Sequence, residues 1–436
     1  MNAPMKLDTA PAKAGPRAYF GLAILVILTI LSYVDRTIIL LLVEPIKADL
    51  GIDDVQFSLL TGLSFAMLYA VLGVPFGWLA DRYSRRWIIY LGVTAWSIAT
   101  GLCGLATSFW HLFLARMGVG VGEATLSPVG YAIAGDLFSR RRLALATSTL
   151  AAGTALGAAI AYGIGGVLMD WAEARGGLFG LRPWQTAIVM LALPGLLIAP
   201  FVFVIPKYAD KAACDDRTEQ AGTPEGYLRW LKANLSHLIP MMAGAACIYA
   251  LMFGVTAWMP ALLFRRFAMS PTEVGALLGL SFGVSGVTGF ILSGWIVDWL
   301  ATTRMRHAQL KYMTFVIAAL GLVGLATFTL AGTTTQIATA LGLLALLAPV
   351  NGPAMAYLQI HTPAQFRGRT IAIFLLVYNL FGMTLGPAAV ALISQEVYGD
   401  NIGAGMATMS AIAGVAGSVL LIFAQRHEPA MDNGNL

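Results

Sequence analysis

Apolar stretches of twenty or more residues recur along the whole chain. A stretch of that length buried in hydrocarbon must satisfy its own backbone polar groups, and it does so as a helix. On a ruler of about 20 residues per crossing, the first half is expected to hold spans at roughly 19 to 43, 55 to 79, 87 to 107, 111 to 134, 143 to 168 and 186 to 206. The second half adds spans at roughly 237 to 263, 273 to 297, 312 to 331, 335 to 359, 370 to 394 and 402 to 424. Only 11% of residues are charged, against about 25% in a typical soluble chain. The expected class is therefore an all-α membrane protein of twelve transmembrane helices. The first run, Tyr19 to Val43, is too long for a signal-peptide core and no small-residue cleavage pattern follows it, so it is expected to stay in the mature protein.

The two halves echo each other. Gly77-Trp78-Leu79-Ala80-Asp81 returns as Gly294-Trp295-Ile296-Val297-Asp298, and Gly62-Leu63-Ser64-Phe65 returns as Gly279-Leu280-Ser281-Phe282, both at an offset of 217 residues. Two groups at one offset are more than apolar low complexity produces. The expected organisation is a tail at 1–18, an N-terminal six-helix bundle at 19–206, a polar linker at 207–235, a C-terminal six-helix bundle at 236–425 and a second tail at 426–436.

Charge sets the expected orientation. Of 27 Lys and Arg, five fall in loops on one side (Lys47, Arg175, Arg182, Arg265, Arg266), two lie within spans, and the remaining 20 fall on the side of the termini and linker. The positive-inside rule then places both termini in the cytoplasm. The basic run Arg140-Arg141-Arg142 is expected to anchor that face rather than to bind nucleic acid. Short outer loops, and an Asn234-Leu235-Ser236 site on the inner side, point to a bacterial cytoplasmic membrane. Three cysteines without metal-ligand spacing point to neither a zinc site nor a disulfide framework.

Asp35, Arg36, Arg116 and Glu123 sit well inside spans. Each costs a few kcal/mol against lipid, so each is expected to face a polar cavity or another charge, and the cavity expected is the one between the halves. Arg116 and Glu123 are two helical turns apart and share a face, whereas Asp35 and Arg36 are adjacent and are expected to find different partners. A carboxylate whose contact with an arginine changes as helices shift also changes its affinity for a proton, which is what coupling requires. A static network that fixes helix packing is the competing account. The second-half spans carry no such charges, only neutral polar groups such as Thr256, Asn351 and Asn379, so the cavity is expected to have one charged and one apolar wall and to suit an amphiphile. Small residues from Gly153 to Gly166 are expected to bring the fifth span close to its neighbours, and Pro349, Pro353 and Pro387 to bend the tenth and eleventh.

Over essentially its whole length the chain resembles the major facilitator superfamily. The stretch from Gly77 to Arg86 is similar to that family's Gly-x-x-x-Asp-Arg-x-x-Arg-Arg signature, with Ser84 in place of the usual glycine. The resemblance implies that Asp81 caps the start of helix 11, and that Arg82, Arg85 and Arg86 pair with Asp136 to hold the cytoplasmic face shut. Asp298 is the remnant of the same motif in the second half. Arg116-x-x-x-Gly120-x-Gly122 resembles the family's helix 4 motif, in which the arginine is linked to proton transfer. Tyr33-Val34-Asp35-Arg36 and Gly118-Val119-Gly120-Val121-Gly122-Glu123-Ala124 resemble the spinster family, whose members move lysophospholipids and sphingolipids. That likeness implies a proton-coupling site at Asp35, Arg36 and Glu123, with the proton as coupling ion and no other cofactor. The substrate-cavity candidates are Tyr33, Thr37, Tyr69, Thr256, Asn351 and Asn379.

The function expected is a proton-coupled secondary transporter, monomeric and surrounded by membrane lipids, that moves a small amphiphile by alternating access. A carrier of small organic anions or a drug exporter of the same fold is the nearest alternative. A membrane-embedded lipid-modifying enzyme would need a nucleophile with its base, or clustered metal ligands, and the spans hold no such cluster. The absence of a Gly-x-x-x-x-Gly-Lys-Ser/Thr loop argues against an ATP-driven pump.

Overall fold

A computed structural model describes residues 15–138, 140–206, 224–302, 305 and 307–428. The first half contains α1 (Pro16–Leu41), α2 (Val43–Leu50), α3 (Asp54–Thr61), α4 (Leu63–Arg82), α5 (Arg85–Cys103), α6 (Phe109–Glu123), α7 (Leu126–Leu137), α8 (Arg140–Glu173) and α9 (Pro183–Ile198). The second contains α10 (Pro224–Phe267), α11 (Pro271–Leu280), α12 (Val287–Thr302), α13 (Ala308–Leu330), α14 (Thr334–Leu347), α15 (Asn351–His361), α16 (Arg367–Tyr398) and α17 (Ile402–His427). No strand occurs among the described residues.

Among the described residues, ten helical stretches are long and apolar enough to cross a membrane. The two other expected spans are also helical, with physical reasons for falling outside that group. Residues 87 to 107 form α5, which opens on Arg85 and Arg86 and ends at Cys103. Residues 111 to 134 are divided at Ala124 and Thr125 into α6 and α7, and α6 carries both Arg116 and Glu123. Two expected boundaries move: α1 starts at Pro16, inside the segment read as a tail, and residues 224–235, read as linker, are the first turns of α10. The tenth span breaks where Pro349 stands, between Leu347 and Asn351, while Pro387 is accommodated inside α16.

Small residues let the helices meet closely. A Cβ at Gly157 of α8 would lie 2.7 Å from the Cβ of Tyr33 on α1, and one at Gly166 would lie 2.2 Å from the Pro271 carbonyl oxygen of α11. On the face that carries both described chain ends, Glu428 accepts a hydrogen bond from His307 and lies 2.7 Å from Nε2 of His361, tying the end of α17 to α13 and α15. Burial pushes the Glu428 carboxyl up, but the two histidines outweigh it and hold the group below its usual range.

The two halves meet toward the opposite face. There α11 packs on α8, and a Cβ at Gly62, between α3 and α4, would lie 2.5 Å from the Met383 carbonyl oxygen of α16. That carbonyl is the one Pro387 leaves without its helical N–H partner, so the glycine fits where the ladder is interrupted. Arg265 of α10 donates to both carboxylate oxygens of Asp54 at 2.8 Å and to Glu44 at 2.8 Å, crossing from one half to the other. Lys47 pairs with the same Asp54, whose side chain is 2% exposed. The Thr272 backbone N–H donates to Asp170 at 3.1 Å alongside.

This cluster closes one side of the molecule, and its removal has a definite expected result. Arg265→Gln leaves Asp54 with Lys47 alone and weakens the closure by about 1–3 kcal/mol, the cost of unpairing a buried acceptor. Spin labels at Asp53 and Ala268 should then show a new, longer-distance population; an unchanged distribution would remove Arg265 from the closure.

Candidate functional site

The glycines of α6 decide where its charges go. A Cβ at Gly120 would lie 2.6 Å from the Phe65 carbonyl oxygen of α4, and one at Gly122 would lie 2.6 Å from the Trp96 backbone nitrogen of α5. With no side chains at these positions α6 wedges between its neighbours, and its last residue, Glu123, lands against α1. Gly120→Val is expected to destabilise the protein by about 1–3 kcal/mol, because backbone rather than a movable side chain blocks the space. Gly118→Ala, whose Cβ meets only the Ala99 methyl at 3.1 Å, should cost less. Thermal unfolding of the two purified variants checks the order.

Glu123 is 0% exposed. Its Oε2 accepts hydrogen bonds from Ser32 Oγ at 2.6 Å and from Arg36 Nε at 2.5 Å, while Oε1 is buried without a partner. Ser32 and Arg36 are four apart on α1 and so share the face presented to α6. The Arg36 guanidinium is boxed by aromatic rings, 4.3 Å from the Tyr69 centroid, 4.6 Å from Phe65 and 5.0 Å from Tyr33. These rings hold a cation without neutralising it.

Asp35 turns to a different neighbour. Its Oδ2 accepts from Thr100 Oγ1 of α5 at 3.2 Å, and its backbone carbonyl, rather than its carboxylate, accepts from Arg116 at 3.3 Å. Arg116 Nε is buried without a partner. The four intramembrane charges thus lie together but form two arrangements: Glu123 with Arg36, and Arg116 with the α1 backbone at Asp35.

A cavity of about 400 Å³ lies between the halves, closed toward the Arg265 cluster and reaching Leu25, Tyr131 and Leu150 nearer the face of the chain ends. Arg36 is the only charged residue among the described residues that line it. Tyr33, Tyr69, Thr256 and Asn351 also line it. Thr37 is buried and does not border it, and Asn379, which turns its amide back to the Leu375 carbonyl of its own helix, also lies off the wall. Glu123, Asp35 and Arg116 stand behind the lining, so Glu123 communicates with the cavity through Ser32 and Arg36.

The basic loop is partly assembled. Arg85 pairs with Asp136 and donates from Nε to the Ala80 carbonyl at 3.1 Å. Arg86 donates to the Ile205 carbonyl at 3.3 Å, and Arg82 stacks on Trp78 at 4.1 Å, away from the acid it was expected to pair with. Gly77 sits in α4, with Pro128 the nearest neighbour of a Cβ there, at 3.8 Å. The side chains of Asp81, Asp298 and Arg140 to Arg142 lie outside the described ones. Sequence reasoning passed over Ser32, Thr100, Phe65 and Tyr249. Only Ser32 carried a usable signal, being one turn before Arg36.

The family model described as Major Facilitator Superfamily matches residues 25–387. An MFS-type efflux pump of Mycolicibacterium smegmatis is 30% identical over 423 residues, covering 93% of this chain and 91% of that protein. The probable L-galactonate transporter of Escherichia coli (strain K12) is 23% identical over 311 residues, 69% of this chain and 65% of that one. The sphingosine-1-phosphate transporter SPNS2 of Mus musculus is 26% identical over 319 residues, 70% of this chain and 56% of that protein. Among solved structures, a bacterial homolog of the human lysosomal transporter spinster, in an inward-facing and unoccupied conformation, superposes with a TM-score of 0.77 at 24% identity, covering 94% of this chain and 96% of that one.

Proposed function

This chain belongs to the major facilitator superfamily, and from that premise we propose that it is a proton-coupled secondary transporter working by alternating access, with an anionic amphiphile as cargo. The observation that carries the reading is Arg36 in the wall of the cavity, paired from behind by Glu123. While Glu123 is ionised it occupies the charge of Arg36. A proton on Glu123 frees the guanidinium, and an anion in the cavity can then take the carboxylate's place.

Proton and anion arrive without changing the net charge of the site, whereas either alone leaves an uncompensated charge in a poorly hydrated region. Each therefore strengthens binding of the other, and linkage makes the effect reciprocal. That is the thermodynamic requirement of symport.

The other wall supports an apolar partner for the anionic group, with Met252, Phe253, Phe282 and Phe290 along it. A lysophospholipid or sphingolipid phosphate has this form, and the likeness to SPNS2 agrees with it. The second reading, a small organic anion, draws on Arg36 as the sole charged residue among the described lining residues and on the likeness to a probable L-galactonate transporter. An enzyme is disfavoured because the chain belongs to a family of transporters.

With the arginine-rich face in the cytoplasm of a bacterial cell, as the positive-inside bias supports, the cavity opens inward and both termini are cytoplasmic. The cavity is complete within one chain, which supports a monomer as the working unit. The Arg85–Asp136 pair, which joins α5 to α7 within the first half and is formed alongside the Arg265 cluster, would then be the first-half side of the inner latch.

Competition on purified protein between lysolipid phosphates and small carboxylates separates the two cargoes. The lipid phosphates are expected to displace the carboxylates. Binding confined to small carboxylates would replace the cargo and keep the coupling.

A further inference from the structure

The second-half wall of the cavity carries one polar arrangement that the Arg36 site does not use. Asn351 is the first residue of α15, immediately after the break at Pro349, so the interruption of the helix sets it at the wall. Its Nδ2 donates to the Tyr249 hydroxyl at 2.8 Å, and its Oδ1 is buried with no partner. The Tyr249 oxygen, having accepted that bond, still has its own proton to give. Tyr249 is seated by Gly382, where a Cβ would lie 2.7 Å from the Cβ of Tyr249. Gly382 of α16 thus makes room for this ring, while Asn379 of the same helix bonds back to the Leu375 carbonyl.

A buried amide oxygen without a partner and a phenol proton beside it form an acceptor and a donor side by side on a wall where Thr256 is the other polar side chain among the described lining residues. One neutral group answers both at once: a hydroxyl, which donates to Asn351 Oδ1 and accepts from Tyr249. A carboxylate or a fully ionised phosphate cannot, because it brings no proton to the amide oxygen. A methylene leaves the amide oxygen unpaired.

Resting on the anion reading of Arg36, we propose that Tyr249 and Asn351 form a second recognition point, which selects cargo carrying a free hydroxyl in addition to its anionic group. The cavity then grips its cargo at both walls, the charge on the first half and the hydroxyl on the second. Cargo held in this way bridges the two halves, whereas an anion without the hydroxyl engages only one of them.

The test uses two matched pairs on the full-length purified protein: a 1-acyl-glycerol-3-phosphate with its 2-deoxy analogue, and a 2-hydroxycarboxylate with its deoxy counterpart. Wild type is expected to bind the hydroxyl member of its preferred pair about tenfold more tightly, the worth of a hydrogen bond in a buried site. Asn351→Leu should abolish that preference by weakening the hydroxyl member while leaving the deoxy member as tight or tighter. Tyr249→Phe, which removes a single oxygen, should reduce the preference and serves as the second variant if Asn351→Leu folds poorly. Equal binding of both members by wild type, or a preference that survives in both variants, overturns the hydroxyl site and leaves the anion reading standing. Failure of all four compounds to bind, or binding that is indifferent to Arg36→Gln, overturns both.

Discussion

Glu123→Gln is expected to eliminate accumulation of cargo driven by a pH gradient while leaving exchange of cargo across the membrane in place. The glutamine carbonyl can still accept from Ser32 and Arg36, so the fold keeps its contacts and loses only a charge and a proton site. Arg36, 13% exposed at the cavity wall, then stays available to an anion at every pH. Anion affinity should accordingly rise and become independent of pH. Glu123→Ala makes the contrast, because deleting the whole partner of a buried pair costs about 3–5 kcal/mol and should show as lost stability. Transport into proteoliposomes, with and without a gradient, separates these outcomes. Wild-type pH dependence in Glu123→Gln would remove Glu123 from the coupling.

The second large effect is expected at the other end of the pair. Arg36→Gln removes the only charged residue among the described lining residues and should weaken anion binding about 100-fold, as for other buried, hydrogen-bonded charge pairs. It also removes the guanidinium that holds the Glu123 carboxylate, so the exchange of partners on which coupling depends is lost and the variant should neither take up nor release protons with cargo. Arg36→Lys should fall between, since an ammonium keeps the charge but cannot stack flat against Tyr69, Phe65 and Tyr33 or offer a planar fork. Titration calorimetry of the three proteins gives the ranking. Equal affinity for Arg36→Gln and wild type would place the anion elsewhere.

What could be read from the sequence follows from how costly each feature is. Charges at Asp35, Arg36, Arg116 and Glu123 stand out because hydrocarbon penalises them heavily, and the structure brings all four to one region. Their pairing was less legible. The seven-residue spacing of Arg116 and Glu123 puts both on one face of α6 but leaves open whether Glu123 faces Arg36 or Arg116, and packing at Gly120 and Gly122 decides that. Ser32 and Thr100 were missed because hydroxyls are ordinary in membrane helices, where their own backbone can satisfy them. Thr37 and Asn379 were polar and at plausible depths, yet only the orientation of a helix shows which side faces the cavity. The closed side of the molecule was also illegible, since Arg265 and Asp54 are far apart in sequence and each looks like an ordinary loop charge. The break between α6 and α7 follows Glu123, where Pro128 leaves the Ala124 carbonyl without its helical N–H partner, a signal present in the sequence that hydropathy alone does not register.

The central claim is that anion and proton occupy the Arg36–Glu123 site together. The most direct measurement is proton uptake on anion binding by purified protein in weakly buffered detergent solution, followed with a pH dye at a pH where Glu123 is ionised. Wild type is expected to take up one proton for each anion bound, and Glu123→Gln to bind the anion with no uptake. Binding without uptake in wild type, or the same uptake in Glu123→Gln, would contradict the account.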